Sequence, residues 1–240
     1  FRRVLFRSRT STLIDKAGIL VMDNTNTKFN YYTSGGAHSS LTGVATVYQD
    51  ASFVPFVQRL SDYRWLANGV HVTLAGNLNL SASNGISALC TAFGLTLADF
   101  RLTGAAVHQS RAFYTGPTVP ALSAYAVSNE GRIYYSDANA YTTFSSPTQF
   151  LDVDGYIAGI ASTGSQLLIW TRAGDWYALQ GRGNPATASL NKVGQGPVPS
   201  FYGSTPIVRD TLVFERDGRN GLVSVGPGGG FDEGTFSHLA

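Results

Sequence analysis

Apolar and polar positions alternate in short bursts along most of this chain. Five stretches share one layout: GILVMDNTNTKFNYYTSG (18–35), DYRWLANGVHVTLAG (62–76), AYAVSNEGRIYYSD (124–137), GSQLLIWTRAGDWYALQG (164–181) and DTLVFERDGRNGLVSVG (210–226). In each, a strand with an apolar centre enters a polar or glycine turn and a second strand returns. The strands are rich in Val, Ile, Tyr, Phe and Trp, and Gly, Asn, Asp and Ser separate them, which predicts β-hairpins. Asn68-Gly69, Ala173-Gly174 and Asp217-Gly218 put glycine where a tight reversal needs positive φ, and Glu130-Gly131 is expected to do the same. Helical periodicity is confined to NGISALCTAFG (84–94), where Ile86, Leu89, Cys90 and Phe93 fall at i, i+3, i+4 and i+7. Ser83 or Asn84 is placed to cap the start of that short helix and Gly94 its end.

The turns recur at a long period. Gly69 lies 44 positions after Thr25, Gly174 lies 43 after Gly131, and Gly218 lies 44 after Gly174. The interval from Gly69 to Gly131 is 62 positions and holds the helix plus one extra strand, SRAFYTG (110–116). An all-β chain with a repeat of about 40–45 residues is expected to be a β-propeller, one four-stranded blade per repeat. A single blade has two apolar faces and cannot bury both alone, whereas blades stacked around an axis cover each other. A β-sandwich is the competing architecture, but its turns recur without the longer period. The expectation is a partial propeller of about four to five blades with at most one helix.

Composition agrees with a packed core: 43% of the 240 residues are hydrophobic, 12% aromatic and only 13% charged, too apolar for a disordered segment. No run of about 20 apolar residues is present to span a bilayer as a helix. The single cysteine, Cys90, has no internal disulfide partner. The formal net charge of +2 owes much to Arg2, Arg3 and Arg7 in the opening FRRVLFRS, with Arg9 behind them. Those eight residues resemble the in-frame translation of a sequencing adapter, TTC-AGA-CGT-GTG-CTC-TTC-CGA-TCT. Residues 1–8 are therefore expected to be an artefact at the front of a metagenomic piece of a longer protein, with the propeller over 9–240. Removing three arginines from the 17 basic residues leaves 14 against 15 acidic ones, a net charge of −1. On that count no nucleic-acid footprint is expected.

Motifs that carry chemistry are weak throughout. LDVDGY (151–156) offers Asp152 and Asp154 beside Gly155 but no further calcium ligands at the offsets a loop needs. QGRGNPA (180–186) has a dinucleotide-like outline, yet Asn184-Pro185 predicts a turn and ATASLNKVG another strand. GPGGG (226–230) lacks the Lys-Ser/Thr of a phosphate loop. His38, His71, His108 and His238 are far apart, with no ligand spacing between them, and Asp232-Glu233 reads as exposed loop charge. Trp65, Trp170 and Trp176 could form a stacking platform, but Trp170 and Trp176 lie one on each arm of their hairpin, which packing between blades explains better. No catalytic, cofactor or metal residue is assigned, and no cofactor is expected.

The succession of segments carries a resemblance. RLSDYRWLANGVHVTLAG (59–76), HQSRAFYTG (108–116), GRIYYSDANAYTTF (131–144) and SQLLIWTRAGDWYALQGRGNPATASLNKVGQG (165–196) resemble, in order, blades of β-propeller virion proteins of tailed bacteriophages. RDTLVFERDGRNGLVSVG (209–226), then FDEGTFSHLA (231–240), is similar to their final blade and exit segment. The likeness covers roughly 45–240, and 10–44 fits an earlier blade more loosely. It implies a structural component of the tail or portal-proximal connector, a nozzle, hub or accessory factor, with no catalysis. The implied partners are portal, adaptor or tail subunits in a homo-oligomeric ring. The implied location is the virion tail, after synthesis in the cytoplasm of a bacterial host, with neither specific nucleic-acid binding nor a membrane. The loops 33–43, 117–123 and 226–235 are the expected docking surfaces. A carbohydrate-binding or carbohydrate-active propeller is the first alternative; it would bring two of Asp152, Asp154 and Asp175 together in a pocket. A cellular interaction propeller is the second.

Overall fold

This computed structural model describes residues 80–120, 126–181 and 183–198 continuously, together with the backbone of the strands outside them. Side chains are described for 85–120, 126–181 and 183–198, and for His71 and Thr73. Among the described residues, twenty strands form five four-stranded sheets, each running in chain order from its first strand to its fourth. The first blade holds Arg3–Arg7 (β1), Ala17–Met22 (β2), Lys28–Thr33 (β3) and His38–Thr42 (β4). The second holds Val57–Ser61 (β5), Arg64–Ala67 (β6), Val70–Leu74 (β7) and Leu80–Asn84 (β8). A helix, Gly85–Phe93 (α1), leads to the third blade: Gly104–His108 (β9), Arg111–Thr115 (β10), Arg132–Tyr135 (β11) and Phe150–Asp152 (β12). The fourth comprises Ile157–Ser162 (β13), Leu167–Thr171 (β14), Asp175–Gln180 (β15) and Ser189–Gln195 (β16). The fifth comprises Ile207–Val208 (β17), Thr211–Glu215 (β18), Leu222–Val225 (β19) and Phe231–Gly234 (β20).

Neighbouring strands within every blade are antiparallel. First strands meet first strands, β5 against β9 and β9 against β13, so they line the axis about which the blades turn. This is the partial propeller expected from the spacing. The seam between the third and fourth blades is built by alternation. Ala106, Phe113, Ile133 and Tyr135 point from one sheet into Ile157, Ile160, Leu167, Ile169, Tyr177 and Leu179 of the other. At roughly 25 cal/mol per Å² of apolar area removed from water, each large side chain in such a seam contributes about 1.5–3 kcal/mol. The opposite face of the fourth blade carries a second cluster, Ala158, Ala161, Leu168, Trp170, Trp176 and Ala178. With both faces apolar, all five residues of β14 are buried, which is why its sequence, LLIWT, shows no polar alternation.

The predicted helix forms where its apolar spacing placed it. Ile86, Leu89 and Cys90 are 0–2% exposed, and Phe93 packs edge-on against Tyr134 at 4.8 Å. Gly94 ends it with φ +64. The Leu95 N–H donates to Cys90 O at 2.8 Å, and the Gly94 N–H to Thr91 O at 3.4 Å, the two-bond C-terminal cap that a left-handed glycine allows. Burial raises the Cys90 thiol to about 11, so it stays protonated and inert near neutrality.

Two local expectations are corrected. Among the described residues, the hairpin expected over 124–137 has one strand arm, β11. Residues 126–131 form no strand and hold one isolated β-bridge, Ser128–Thr118, and β11 pairs with β10 and β12 instead. The positive φ expected at Gly131 belongs to Asn129, at 57°. Gly131 is needed for another reason, since a Cβ there would sit 2.0 Å from Val153 O. The link between the second and third strands of this blade is thus long. That link and the inserted helix together account for the 62-residue interval. Gly174 keeps its expected role, with φ +86 and its N–H donating to Thr171 O at 3.1 Å. The Asn68-Gly69 and Asp217-Gly218 turns lie outside the described residues.

Trp170 and Trp176 face each other across β14 and β15, ring centroids 5.2 Å apart, and Trp176 Nε1 donates to Pro197 O at 2.9 Å. They are 2% and 0% exposed, so they pack rather than present a platform. The side chain of Trp65, in β6, is outside the described set. A Cβ on Gly159 would lie 2.4 Å from Trp170 Cζ2. Gly159→Ala should therefore destabilise the chain by about 2 kcal/mol through overpacking, read as a lower urea midpoint. Adding Trp170→Phe to that variant should recover part of the loss, a positive coupling in the double-mutant cycle.

Candidate functional site

In the third and fourth blades, turns between first and second strands, and between third and fourth, lie at one end. This end contains residues 109–110, 136–149, 163–166 and 181–188. The β9–β10 turn is unusual: Gln109 and Ser110 both take positive φ, 46° and 62°. Glycine or asparagine normally fills such a two-residue turn, because a Cβ there costs roughly 1–2 kcal/mol per residue. Neighbouring loops hold this strained tip in place. The Gln109 carboxamide donates through Nε2 to Gly181 O and accepts from the Gly183 N–H at 3.2 Å. The Asn139 N–H donates to Ser110 O at 2.7 Å. One hairpin tip is thus tied both to its own blade and to the next.

Directly beneath the tip, His108 Nδ1 lies 3.0 Å from Ser162 Oγ, joining the innermost strands of two blades. His108 is 3% exposed, and no partner reaches its Nε2. Burial pulls the imidazole down from 6.5 to about 4, so it is neutral at physiological pH. In the adjoining loop, Asp137 Oδ1 accepts from Ser145 Oγ and from Gln149 Nε2, each at 2.8 Å. This end is dominated by hydroxyls and carboxamides. An open groove of about 560 Å³ beside it, between α1 and Thr142–Phe144, is lined by Ser87, Ala88, Thr91, Ala92, Thr142, Thr143 and Phe144, without a charged side chain.

The other end of the third and fourth blades holds two ion pairs and a cation stacked on a ring. Arg132 Nε and Nη2 donate to Asp152 at 2.8 and 3.2 Å. Lys192 Nζ lies 2.9 Å from Asp175 Oδ1, and Arg172 stacks 3.6 Å over the Tyr156 ring. Asp154 offers its backbone carbonyl to the Tyr177 hydroxyl at 3.4 Å. Two of the three carboxylates that the carbohydrate-active alternative invoked, Asp152 and Asp175, are thus each paired with a cation. LDVDGY is a strand-end turn, with the Val153 N–H donating to Gly131 O at 2.9 Å.

The other motifs resolve similarly. QGRGNPA becomes a short 3₁₀ turn, Pro185–Thr187, capped by the Asn184 side chain, and β16 follows it as expected. Among the described residues no three His, Cys, Asp or Glu side chains gather to hold a metal. His71 packs against the Tyr141 ring at 5.7 Å, His38 lies in β4, and His238 is outside the described residues. The expected docking loops 33–43 and 226–235 contain strands β4 and β20, and Asp232-Glu233 lies on β20. GPGGG and residues 121–123 of the third expected loop lie outside the described residues. Among the described residues no helix is long and apolar enough to cross a membrane. Composition and periodicity gave no hint of the strained tip; the only signal was a hairpin turn, Gln109-Ser110, lacking glycine.

Comparison with known proteins places the fold. No protein-family model matches the chain, and no curated protein matches it. Among solved structures, it is similar to the β-propeller domain of Cps50 (Swd1) from Myceliophteria thermophila. That match has a TM-score of 0.54 and 11% identity, over 91% of this chain and 70% of that one. Virginiamycin B lyase from Staphylococcus aureus aligns with a TM-score of 0.50 and 11% identity, over 95% of this chain and 69% of that one. The dihydro-heme d1 dehydrogenase NirN aligns with a TM-score of 0.53 and 10% identity, over 95% of this chain and 46% of that one. At these identities the likeness is one of fold alone.

The strain at the tip is directly measurable. Ser110→Gly should stabilise the chain by about 0.5–1 kcal/mol, since glycine removes the left-handed penalty and returns part of it as unfolded-state entropy. A raised urea midpoint with unchanged slope is the expected reading. Destabilisation would mean the tip is not held in this conformation.

Proposed function

We propose that this chain is a structural component of a tailed-bacteriophage virion, part of the tail or its portal-proximal connector, acting by subunit assembly without catalysis. The observation that carries the reading is the ordered succession of blade segments from residue 59 to 240 that resemble those virion propellers. HQSRAFYTG spans the end of β9 and all of β10, GRIYYSDANAYTTF opens on β11, and SQLLIWTRAGDWYALQGRGNPATASLNKVGQG covers β14 to β16. The segments thus follow one another blade by blade, as such a resemblance requires.

The geometry supports an adhesive role in two ways. Blades locked face to face hold their loops rigidly, so a contact made by one loop loses little conformational entropy on assembly. The hydrogen-bond-rich end, with few charges and its tethered Gln109–Ser110 tip, offers a fixed surface to a neighbouring subunit. Many modest contacts of this kind, repeated in a closed ring, add up to a stable assembly.

The test is the composition of particles. A phage carrying this gene is grown and purified by density gradient, and its particles are analysed by mass spectrometry beside the infected lysate. Peptides from the chain should co-purify with the portal protein at a fixed ratio. Abundant peptides in the lysate with none in the particles would refute the assignment.

A further inference from the structure

The tether beneath the Gln109–Ser110 tip joins two blades through one buried, ionisable contact. His108 is the last residue of β9, Ser162 the last of β13, and their side chains meet at 3.0 Å. The next two residues after His108 hold the left-handed turn, bonded across the seam to Gly181 and Gly183. A strained turn persists only while its surroundings hold it. Here the holding bonds and the imidazole occupy the same corner of the seam.

We propose that this corner is an acid-operated latch: taking up a proton at His108 pulls the ring from Ser162 and frees the Gln109–Ser110 tip from the fourth blade. The reason is geometric. A neutral imidazole satisfies Nδ1 against Ser162 and leaves Nε2 buried without a partner. An imidazolium carries a proton on both nitrogens, and a buried charged donor with no acceptor is costly. The ring reaches water only by turning outward, which strips Nδ1 from Ser162 and draws the adjoining turn with it.

The charged surroundings do nothing to hold the imidazolium in place. Across the ladder, the register partner of His108 is Arg111, a cation whose Nη1 donates to Ser136 O at 2.7 Å. On the fourth-blade side, β13, the turn 163–166 and β14 contain no titratable residue. The seam phenols are Tyr135 and Tyr177. The carboxylate of the adjoining loop, Asp137, is engaged by Ser145 and Gln149. The Arg182 side chain lies outside the described residues. Because burial depresses the native His108 value, the folded latch binds fewer protons than the open state. Its stability is therefore full above the ordinary histidine value and is lost as pH falls through 6.5 toward about 4.

Hydrogen exchange of the whole chain, corrected for intrinsic rates, reads the latch at two amides bonded to the tip, Asn139 and Gly183. Their protection should drop at least about tenfold between pH 7 and pH 4, while β14 amides hold theirs. In His108→Gln the drop should vanish; in His71→Gln it should persist. Gln109→Ala keeps the histidine but removes the tether, so Gly183 should be unprotected already at pH 7. Constant protection in the unaltered chain would overturn the proposal. So would a drop that survives His108→Gln, one abolished by His71→Gln, or full Gly183 protection in Gln109→Ala.

Discussion

A four-stranded antiparallel sheet with apolar side chains on both faces has no stable existence by itself in water, and much of this molecule follows from that. The fourth blade shows the constraint most completely. One face meets Ala106, Phe113, Ile133 and Tyr135 of the third blade, and the other holds the paired tryptophans. Its central strand β14 is buried from end to end. Stacking is the solution, because each sheet supplies the cover its neighbour lacks. Gly159, pressed against the Trp170 ring, shows how closely that cover fits.

Once faces are used for packing, only edges and ends are left for anything else. The two ends of the third and fourth blades have taken different chemistry. One holds paired charges, Arg132 with Asp152 and Lys192 with Asp175, which contribute little to stability where they are exposed. The other is largely uncharged and is organised by side chain to backbone bonds across loops, with Gln109 serving as donor and acceptor at once. Strain sits at this second end, in a turn without glycine, and it is sustained by bonds from two blades. A propeller acting by assembly would use such an end, since its loops are already fixed by the seam beneath them.

Much of the fold was legible in the sequence because blade packing is periodic. Turn spacing near 44 residues reported the repeat, and Ile86, Leu89, Cys90 and Phe93 reported the one interruption. The third blade was read less well. AYAVS, with its strand-like composition, forms no strand at 126–128, since β10 already occupies the place beside β11. Pairing is a tertiary choice that local propensity does not record. The segments 33–43 and 226–235, expected to be loops for their Gly and Ser content, instead contain the outer strands β4 and β20. The tip at Gln109–Ser110 and the His108–Ser162 contact depend on residues 54 to 74 positions apart meeting across a seam. No pattern within one blade encodes that meeting.

Mutual dependence of blades is the central physical claim, and the truncation Phe113→Ala tests it. Phe113 lies in the third blade but is buried against the fourth, and its loss should cost about 3–5 kcal/mol. Native-state hydrogen exchange should be compared at β10 and at β14, one strand in each blade. The account predicts that protection falls by the same free energy in both, because neither face is stable without the other. Loss confined to β10, with β14 as protected as before, would show that the blades stand alone and would contradict it.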